Sequence, residues 1–477
     1  MSRPLWNHQV HGIRVAEVVP DLGLFFEQGT GKSRTTVEIL RRRYAKAGRL
    51  MRTIIFAPII VCENWKNEFK MYSKISPLDV VVLTGSGRQR AKSLLYHLGD
   101  TLDGNKIIVT NYETCQMDDV YNMLLKWKPE ILVCDESQRV KNHESLRARK
   151  VAMIADQTQH NYILTGTPIL NTPMDIYMQF RILDRGQTFG KNFFSFRGTY
   201  FEDKNVRMSK QNYFPKWEPR ADCHQLLQDK IKTKALRVLK KDCLDLPPLV
   251  RQVVYVPMSP KQAKMYREMY NDFITFINDH RNEPRAVVAN LAVVKATKLQ
   301  QIVSGFVKDE HGTHHRIDDC PRLAVLGELL GDIAVHSKVI VWSHYKENQR
   351  MITELCEKLG LGYAEIHGDI KDKDAQMKRF RSDPECRVMV ANQAAGGVGV
   401  NLVEAAYSIY YGKGFKLEDD LQSEARNYRG GSEVHEKVTR IDLVTPGSID
   451  ELVNESLASK QNVSDNILSW RDKYVTS

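Results

Sequence analysis

An apolar run, LGLFF (22–26), feeds a Gly-rich turn and then a segment of helical period, EQGTGKSRTT (27–36). A turn of that kind points successive backbone N–H groups at one spot, and the helix terminus behind it adds a positive dipole. The spot suits a phosphate. Gly29, Thr30 and Gly31 would supply amides, Lys32 would reach the outer phosphates, and the Ser33 hydroxyl would be offered to magnesium. The full GxxxxGK[ST] pattern is broken by Phe26, and GxGK[ST] alone also fits a Gly-rich turn with an unrelated lysine.

Asp135 and Glu136 close another apolar run, EILVC (130–134). The carboxyl end of a buried strand is where magnesium and a water-activating base must sit beside a phosphate-binding turn. Asp135 would hold the metal through water and Glu136 would polarise the attacking water. Acidic residues follow many strands, so the upstream turn is what favours this chemistry. In LTGTP (164–168), Thr165 and Thr167 could hydrogen-bond the acidic loop, although a capped turn uses the same residue types.

In QSEARNYRGG (422–431), Arg426 and Arg429 are three apart and would share one face of a helix. Planar guanidinium groups suit a γ-phosphoryl group in flight, and such a finger contributes about 10³–10⁵ in rate. The same spacing occurs on solvated helices; here it follows a second Gly-rich turn, AAGGVGVNL (394–402).

These residues need scaffolds. Six short apolar runs, 22–26, 53–58, 79–85, 106–113, 130–136 and 161–168, alternate with helical-period segments such as Ser33–Tyr44 and Val61–Met71. Strands separated by helices predict parallel pairing with right-handed crossovers. The pattern returns in 338–345, 362–368, 387–393, 406–412 and 437–444. Two α/β domains are expected. Between them, Lys230–Lys241 carries six basic side chains, Pro247-Pro248 opens an extended segment that could cross between domains, and 261–307 has helical periodicity.

Composition agrees with a large globular chain: 477 residues, 42% hydrophobic and 27% charged. The longest near-candidate for a membrane span, Thr53 to Val61, has nine residues and a proline, so no membrane is expected. Of eight cysteines the nearest two, Cys115 and Cys134, are nineteen apart, which excludes zinc-knuckle spacing and suits a reducing compartment. A net charge of +11 suits a polyanionic partner.

Taken in order, the motifs resemble superfamily-two helicase motors, and among them the Swi/Snf-like, chromatin-remodeller-type DNA translocases. The resemblance spans residues 4–458. NHQVHGIR (7–14) is similar to the family's adenine-reading segment, and EQGTGKS (27–33) fits motif I, where an acidic or apolar residue commonly replaces the first glycine. FAPIIVCENWKNEF (56–69) resembles motif Ia, TNYET (110–114) motif Ib, and DESQRVKNHES (135–145) the long motif II. The last departs at Ser137-Gln138, where Ala-His is usual. LTGTPILNTPMDIY (164–177) resembles motif III, VIVWSHY (339–345) motif IV, IHG (366–368) its short successor, GGVGVNL (396–402) motif V and QSEARNYRGG motif VI. ALRVLKKDCLDLPP (235–248) is similar to the Arg-Lys-Asp-then-Leu-Pro-Pro signature that selects the branch.

The resemblance implies an α/β fold of two RecA-like parallel-sheet domains in tandem, 1–185 and 320–460, with helical protrusions and a linker over 186–319 and a tail over 461–477. It implies ATP and Mg²⁺ as cofactors. Gln9, Gly29, Thr30, Gly31, Lys32, Ser33 and Gln422 would contact the nucleotide, and Ser33 and Asp135 the metal. Lys32, Asp135, Glu136, Arg426 and Arg429 would carry hydrolysis. Gln138, Thr165, Thr167, Gly397 and Gly399 would couple it to movement, and Thr110, Tyr112, Lys141, Asn142, Ser343, His367, Gly368 and Asn401 would face DNA, duplex or branched. The implied activity is DNA-dependent ATP hydrolysis driving translocation on duplex DNA and remodelling of DNA or protein–DNA complexes. A strand-separating DNA or RNA helicase is an alternative, and a catalytically degenerate ATP-binding scaffold is another, resting on Ser137-Gln138. A nearly bare motor looks bacterial or phage-borne, hence cytoplasmic, or nuclear in a eukaryote.

Overall fold

Six apolar runs of the first half form parallel strands: β1 (Leu22–Phe26), β2 (Thr53–Phe56), β3 (Asp79–Leu83), β4 (Lys106–Thr110), β5 (Ile131–Asp135) and β6 (His160–Leu164). The structure is a computed structural model and describes residues 4–76, 78–98, 105–205, 215–243, 246–279, 285–309, 311–396 and 400–467. The short pair β7 (Phe201–Asp203) and β8 (Trp217–Pro219) is an antiparallel hairpin, and β9 (Ala235–Val238) returns to the main sheet. The seven-stranded order is β3-β4-β2-β5-β6-β1-β9.

The strands read as continuous apolar runs because helices cover both sheet faces. Successive side chains alternate between two cores. Phe25, Phe56, Leu132 and Cys134 enter one, with Phe180 and Tyr112; Leu24, Phe26, Ile55 and Val133 enter the other, with Trp65. Fully burying one such side chain contributes roughly 1.5–3 kcal/mol. Gly23 lets β9 approach, since a Cβ there would lie 3.0 Å from that of Ala235.

The chain divides into two units, 1–245 with 460–477 and 246–459. The second holds β10 (Leu249–Tyr255), a small antiparallel pair β11 (Phe306–Lys308) and β12 (His314–Arg316), then β13 (Lys338–Ser343), β14 (Gly362–Ile366), β15 (Cys386–Asn392), β16 (Ala405–Tyr410) and β17 (Val438–Val444). Its six-stranded parallel sheet runs β10-β17-β16-β13-β15-β14. Val339 and Val341 line one core of this unit, Ile340 and Trp342 the other.

The segment after Pro247-Pro248, expected to cross between domains, is instead the edge strand β10, paired with β17 over seven residues. Residues 186–319 are therefore shared out: β9 completes the first sheet, and β10 with helices Pro260–Asp279 and Arg285–Val303 belongs to the second unit. Among the described residues, no helix is long and apolar enough to cross a membrane.

Candidate functional site

The strand order puts β5, β6 and β1 side by side, so the Gly-rich turn, the acidic pair and LTGTP all leave the same end of one sheet. Gly29 and Gly31 both have φ of 85°, in the left-handed region that glycine adopts without penalty. A Cβ on Gly31 would lie 2.2 Å from Gln9 Nε2. Gln9 is buried; its Nε2 donates to the Gly31 carbonyl at 3.3 Å and its Oε1 accepts from Trp6 N at 2.9 Å. The His8 ring lies 2.8 Å from the Thr30 carbonyl, and burial lowers its pKa, favouring the neutral ring. Thr30 Oγ1 donates to Glu27 O at 2.7 Å. Helix Asn7–Val18 thus clamps the turn from behind.

Lys32 opens helix Lys32–Ala47, and its Nζ donates to Phe26 O at 2.8 Å and Glu27 O at 3.4 Å, spanning the mouth of the turn. Ser33 sits half-buried in the same first helical turn. Glu27 is held from β9 and the residues just after it: its N–H donates to Val238 O at 2.9 Å and its carboxylate accepts from Lys240 N at 2.5 Å. The basic segment 235–243 therefore reaches the turn through Glu27.

Asp135 is buried and hydrogen-bonded. Its Oδ2 accepts from Trp65 Nε1 at 2.9 Å, its Oδ1 from Glu136 N at 3.0 Å, and its carbonyl from the Tyr112 hydroxyl at 2.7 Å. Burial, then the neighbouring Glu136 charge, push its pKa up to about 7 against the opposing charge of Lys32. Glu136 has φ of 51°, unusual for a residue with a Cβ, which turns its side chain back over the acidic loop. There Gln138 Nε2 donates to Glu136 Oε2 at 2.7 Å, Thr165 Oγ1 donates to Gln138 Oε1 at 2.6 Å, and Thr167 N donates to Thr165 Oγ1 at 3.0 Å. A continuous hydrogen-bonded line runs from β5 to the loop after β6. Gly166 keeps that loop on the Gly-rich turn, because a Cβ would meet Phe26 O at 3.3 Å and Gln28 N at 3.4 Å. The Gln28 amide and the Thr167 hydroxyl are buried beside it without a protein partner among the described residues.

In the second unit the two arginines do not share a helix face. Helix Leu417–Glu424 ends before both. Side-chain bonds to backbone pull the following turns inward: Arg426 Nη1 donates to Val400 O at 3.1 Å, its Nε to Gln422 O at 3.0 Å, and Asn427 Nδ2 to Ala405 O at 3.2 Å. Arg426 is buried and braces residues 400–402, whose Leu402 N also donates to Arg426 O at 3.0 Å, whereas Arg429 is half-buried. Gln422 is buried and donates to Glu418 Oε1 at 3.1 Å.

The side chains expected to face DNA divide by exposure. The side chains of Thr110, Tyr112 and Ser343 are fully buried inside their units. Thr110 sits at the end of β4 against Arg90 and Thr114, and Tyr112 stacks on Phe56 while its hydroxyl bonds Asp135. Lys141 is paired with Asp175 at 2.9 Å, and Asn142 and Gly368 are exposed. His367 lies 3.4 Å from Glu365, and Asn401 accepts from Arg381 Nη2 through its carbonyl at 2.7 Å. Gly397 and Gly399 lie outside the described residues.

Residues 20–307 match the SNF2-related domain, and residues 321–431 the helicase conserved C-terminal domain. The chain belongs to the SNF2-related family. It is 25% identical over 455 residues to a zebrafish (Danio rerio) protein named chromodomain-helicase-DNA-binding protein 1-like, covering 93% of this chain and 41% of the relative. Human lymphoid-specific helicase is 24% identical, with 97% and 61% covered, and the transcription regulatory protein SNF2 of Saccharomyces cerevisiae is 24% identical, with 97% and 27% covered. The chain spans under half the length of the zebrafish protein. A solved structure, the Sulfolobus solfataricus SWI2/SNF2 ATPase core in complex with dsDNA, is 22% identical, with a TM-score of 0.45 over 98% of this chain and 93% of that one.

In this SNF2-related chain, sequence reasoning missed Trp65 as a partner of Asp135, although its Asn-Trp motif was in view. It also missed Gln179, which accepts from Ser137 Oγ at 2.7 Å and donates to Pro168 O at 2.6 Å, stitching the acidic loop to the loop after β6. A polar residue on the apolar face of helix Ile176–Asp184 was the available signal.

Proposed function

We propose that this SNF2-related chain is a DNA-dependent ATPase that moves along duplex DNA and remodels DNA or protein–DNA complexes. The observation that carries the reading is the line Glu136–Gln138–Thr165–Thr167 beside the Lys32 turn, which joins a base, a relay and a phosphate-binding loop at one sheet end. It also weighs against the degenerate-scaffold reading, since Gln138 keeps both its acceptor and its donor in use. The donor set fits ATP with Mg²⁺: amides of a left-handed Gly turn, a lysine, the Ser33 hydroxyl and a carboxylate, with the unpartnered Gln28 amide and Thr167 hydroxyl alongside. Magnesium commonly keeps several waters and takes few protein oxygens, and it supplies charge neutralisation on the outer phosphates.

Lys32 would bind the outer phosphates, Ser33 and Asp135 would hold the metal, and Gln9 would shape the turn. Glu136 would orient the attacking water and accept its proton, with Gln138 fixing the carboxylate. Arg429 would offer positive charge to the transferring phosphoryl group, and Arg426 would brace the loop at residues 400–402. The names of the relatives, helicase and DNA-binding among them, and the net charge of +11 support DNA as the partner. The test is ATP hydrolysis with magnesium, alone and with duplex DNA, single-stranded DNA or RNA. Stimulation by duplex DNA that is lost in Lys32→Ala supports the reading; stimulation only by RNA or single strands overturns it.

A further inference from the structure

Glu424 is the last residue of helix Leu417–Glu424, and the chain reaches Arg429 five residues later. Two arginines from neighbouring strands close on its carboxylate. Arg251 of β10 donates through Nη2 at 2.8 and 2.9 Å and through Nε at 3.2 Å; Arg440 of β17 donates through Nη1 at 2.9 Å. Arg251 and Arg440 are direct partners in the parallel register, a like-charge arrangement that costs stability unless an anion lies between them.

The two clamps differ. Arg440 is 5% exposed, lies 3.9 Å over the Tyr410 ring, and also bonds Asp420 at 2.7 Å and Asp442 at 3.0 Å, so it anchors the helix to the sheet. The Arg251 side chain is 62% exposed. An ion pair that open contributes little to stability, and Arg251 shares the charge of Glu424 with Arg440. Its geometric effect is larger than its energetic one. Three donor contacts fix both carboxylate oxygens, and with them the helix end that hands the chain to Arg429. The strand bearing Arg251 begins three residues after the start of the second unit, so the same contact ties that helix end to the entering chain.

We infer that Arg251 is a positioning residue for Arg429, acting through Glu424 to hold the end of helix Leu417–Glu424 against β10. The inference rests on the proposed role of Arg429 at the transferring phosphate. Small misplacements of a reacting group can cost up to about a hundredfold in rate. In duplex-DNA-stimulated ATP hydrolysis by the full chain, Arg251→Ala should lower kcat by about ten- to a hundredfold. KM for ATP should stay within about twofold, because no contact to the nucleotide is removed, and the melting temperature nearly unchanged, because the lost ion pair is largely exposed. Arg251→Lys should recover part of kcat. Arg251→Met, which keeps the stem, replaces the alanine variant if that one loses its folded circular-dichroism signal. An unchanged kcat in a folded variant, or a rise in KM at constant kcat, overturns the inference. Arg429→Ala is measured alongside: full activity there defeats the phosphate role itself, whereas its inactivity beside a fully active Arg251→Ala defeats only the positioning role.

Discussion

Trp65 and Asp135 meet in the interior, the indole Nε1 donating to Oδ2 at 2.9 Å with both side chains buried. A tryptophan on helix Ile59–Tyr72 is thereby the partner that holds the acid at the end of β5 in one rotamer.

Trp65→Phe keeps most of the ring and removes that donor. It should cost about 1–3 kcal/mol, the usual penalty for leaving a buried polar group unpaired. Urea unfolding followed by fluorescence of the remaining tryptophans checks it, and a midpoint equal to wild type would contradict the role given to the indole.

Gln138→Leu cuts the line between Glu136 and Thr165 at both ends. The kcat for ATP hydrolysis should fall roughly ten- to a hundredfold while ATP affinity holds, since orientation is lost and binding contacts are not. Gln138→His restores a donor and an acceptor and should recover much of the rate. Steady-state hydrolysis paired with fluorescent-nucleotide binding separates the two effects.

Arg440→Ala should destabilise the second unit by roughly 3–5 kcal/mol, because it strands buried carboxylates without their cation. Chemical unfolding read by circular dichroism gives the value, and a loss under about 1 kcal/mol would mean that the network is not load-sharing in the way the geometry implies.

The same network sets an acid limit. Burial alone would raise the Glu424 and Asp442 pKa values, but the charges of Arg440 with Arg251, and of Arg440 with Lys413, outweigh it and lower both. A lowered pKa means that the unfolded chain binds more protons. The contribution to stability is therefore complete above the ordinary values of 4.5 and 3.8 and is lost as pH falls below them. Unfolding free energy measured across this range should drop with acid in wild type and drop less in Arg440→Met.

Affinity for duplex DNA should fall linearly in log–log form as salt rises, because phosphate contacts release counterions. Binding measured by anisotropy at several salt concentrations checks this. A flat plot would argue against contact with the DNA backbone.

Much of the fold was legible. Buried parallel strands announce themselves as apolar runs, and each run expected in both halves carries a strand, from Leu22–Phe26 to Val438–Val444. The Gly-rich turn was readable because glycine takes without penalty the φ of 85° that positions 29 and 31 need. Hydrogen bonds formed across sequence distance were not. Trp65 to Asp135, Ser137 to Gln179 and Glu27 to Lys240 join residues 70, 42 and 213 positions apart, and no periodicity encodes such pairings. The helix expected through Arg426 and Arg429 failed because tertiary bonds from Arg426 and Asn427 to backbone carbonyls overrode local preference.

Strand β9 lies on the outer flank of β1 and holds the Glu27 amide, while Lys240 just beyond it holds the Glu27 carboxylate. A polypeptide cut at residue 185, where the sequence pattern suggests the first domain ends, would leave that flank bare. Its unsatisfied amides and carbonyls would recruit strands from other copies, as open sheet edges do. Anyone excising the first unit for biophysics should carry it through residue 243, or expect oligomers and a loosened turn.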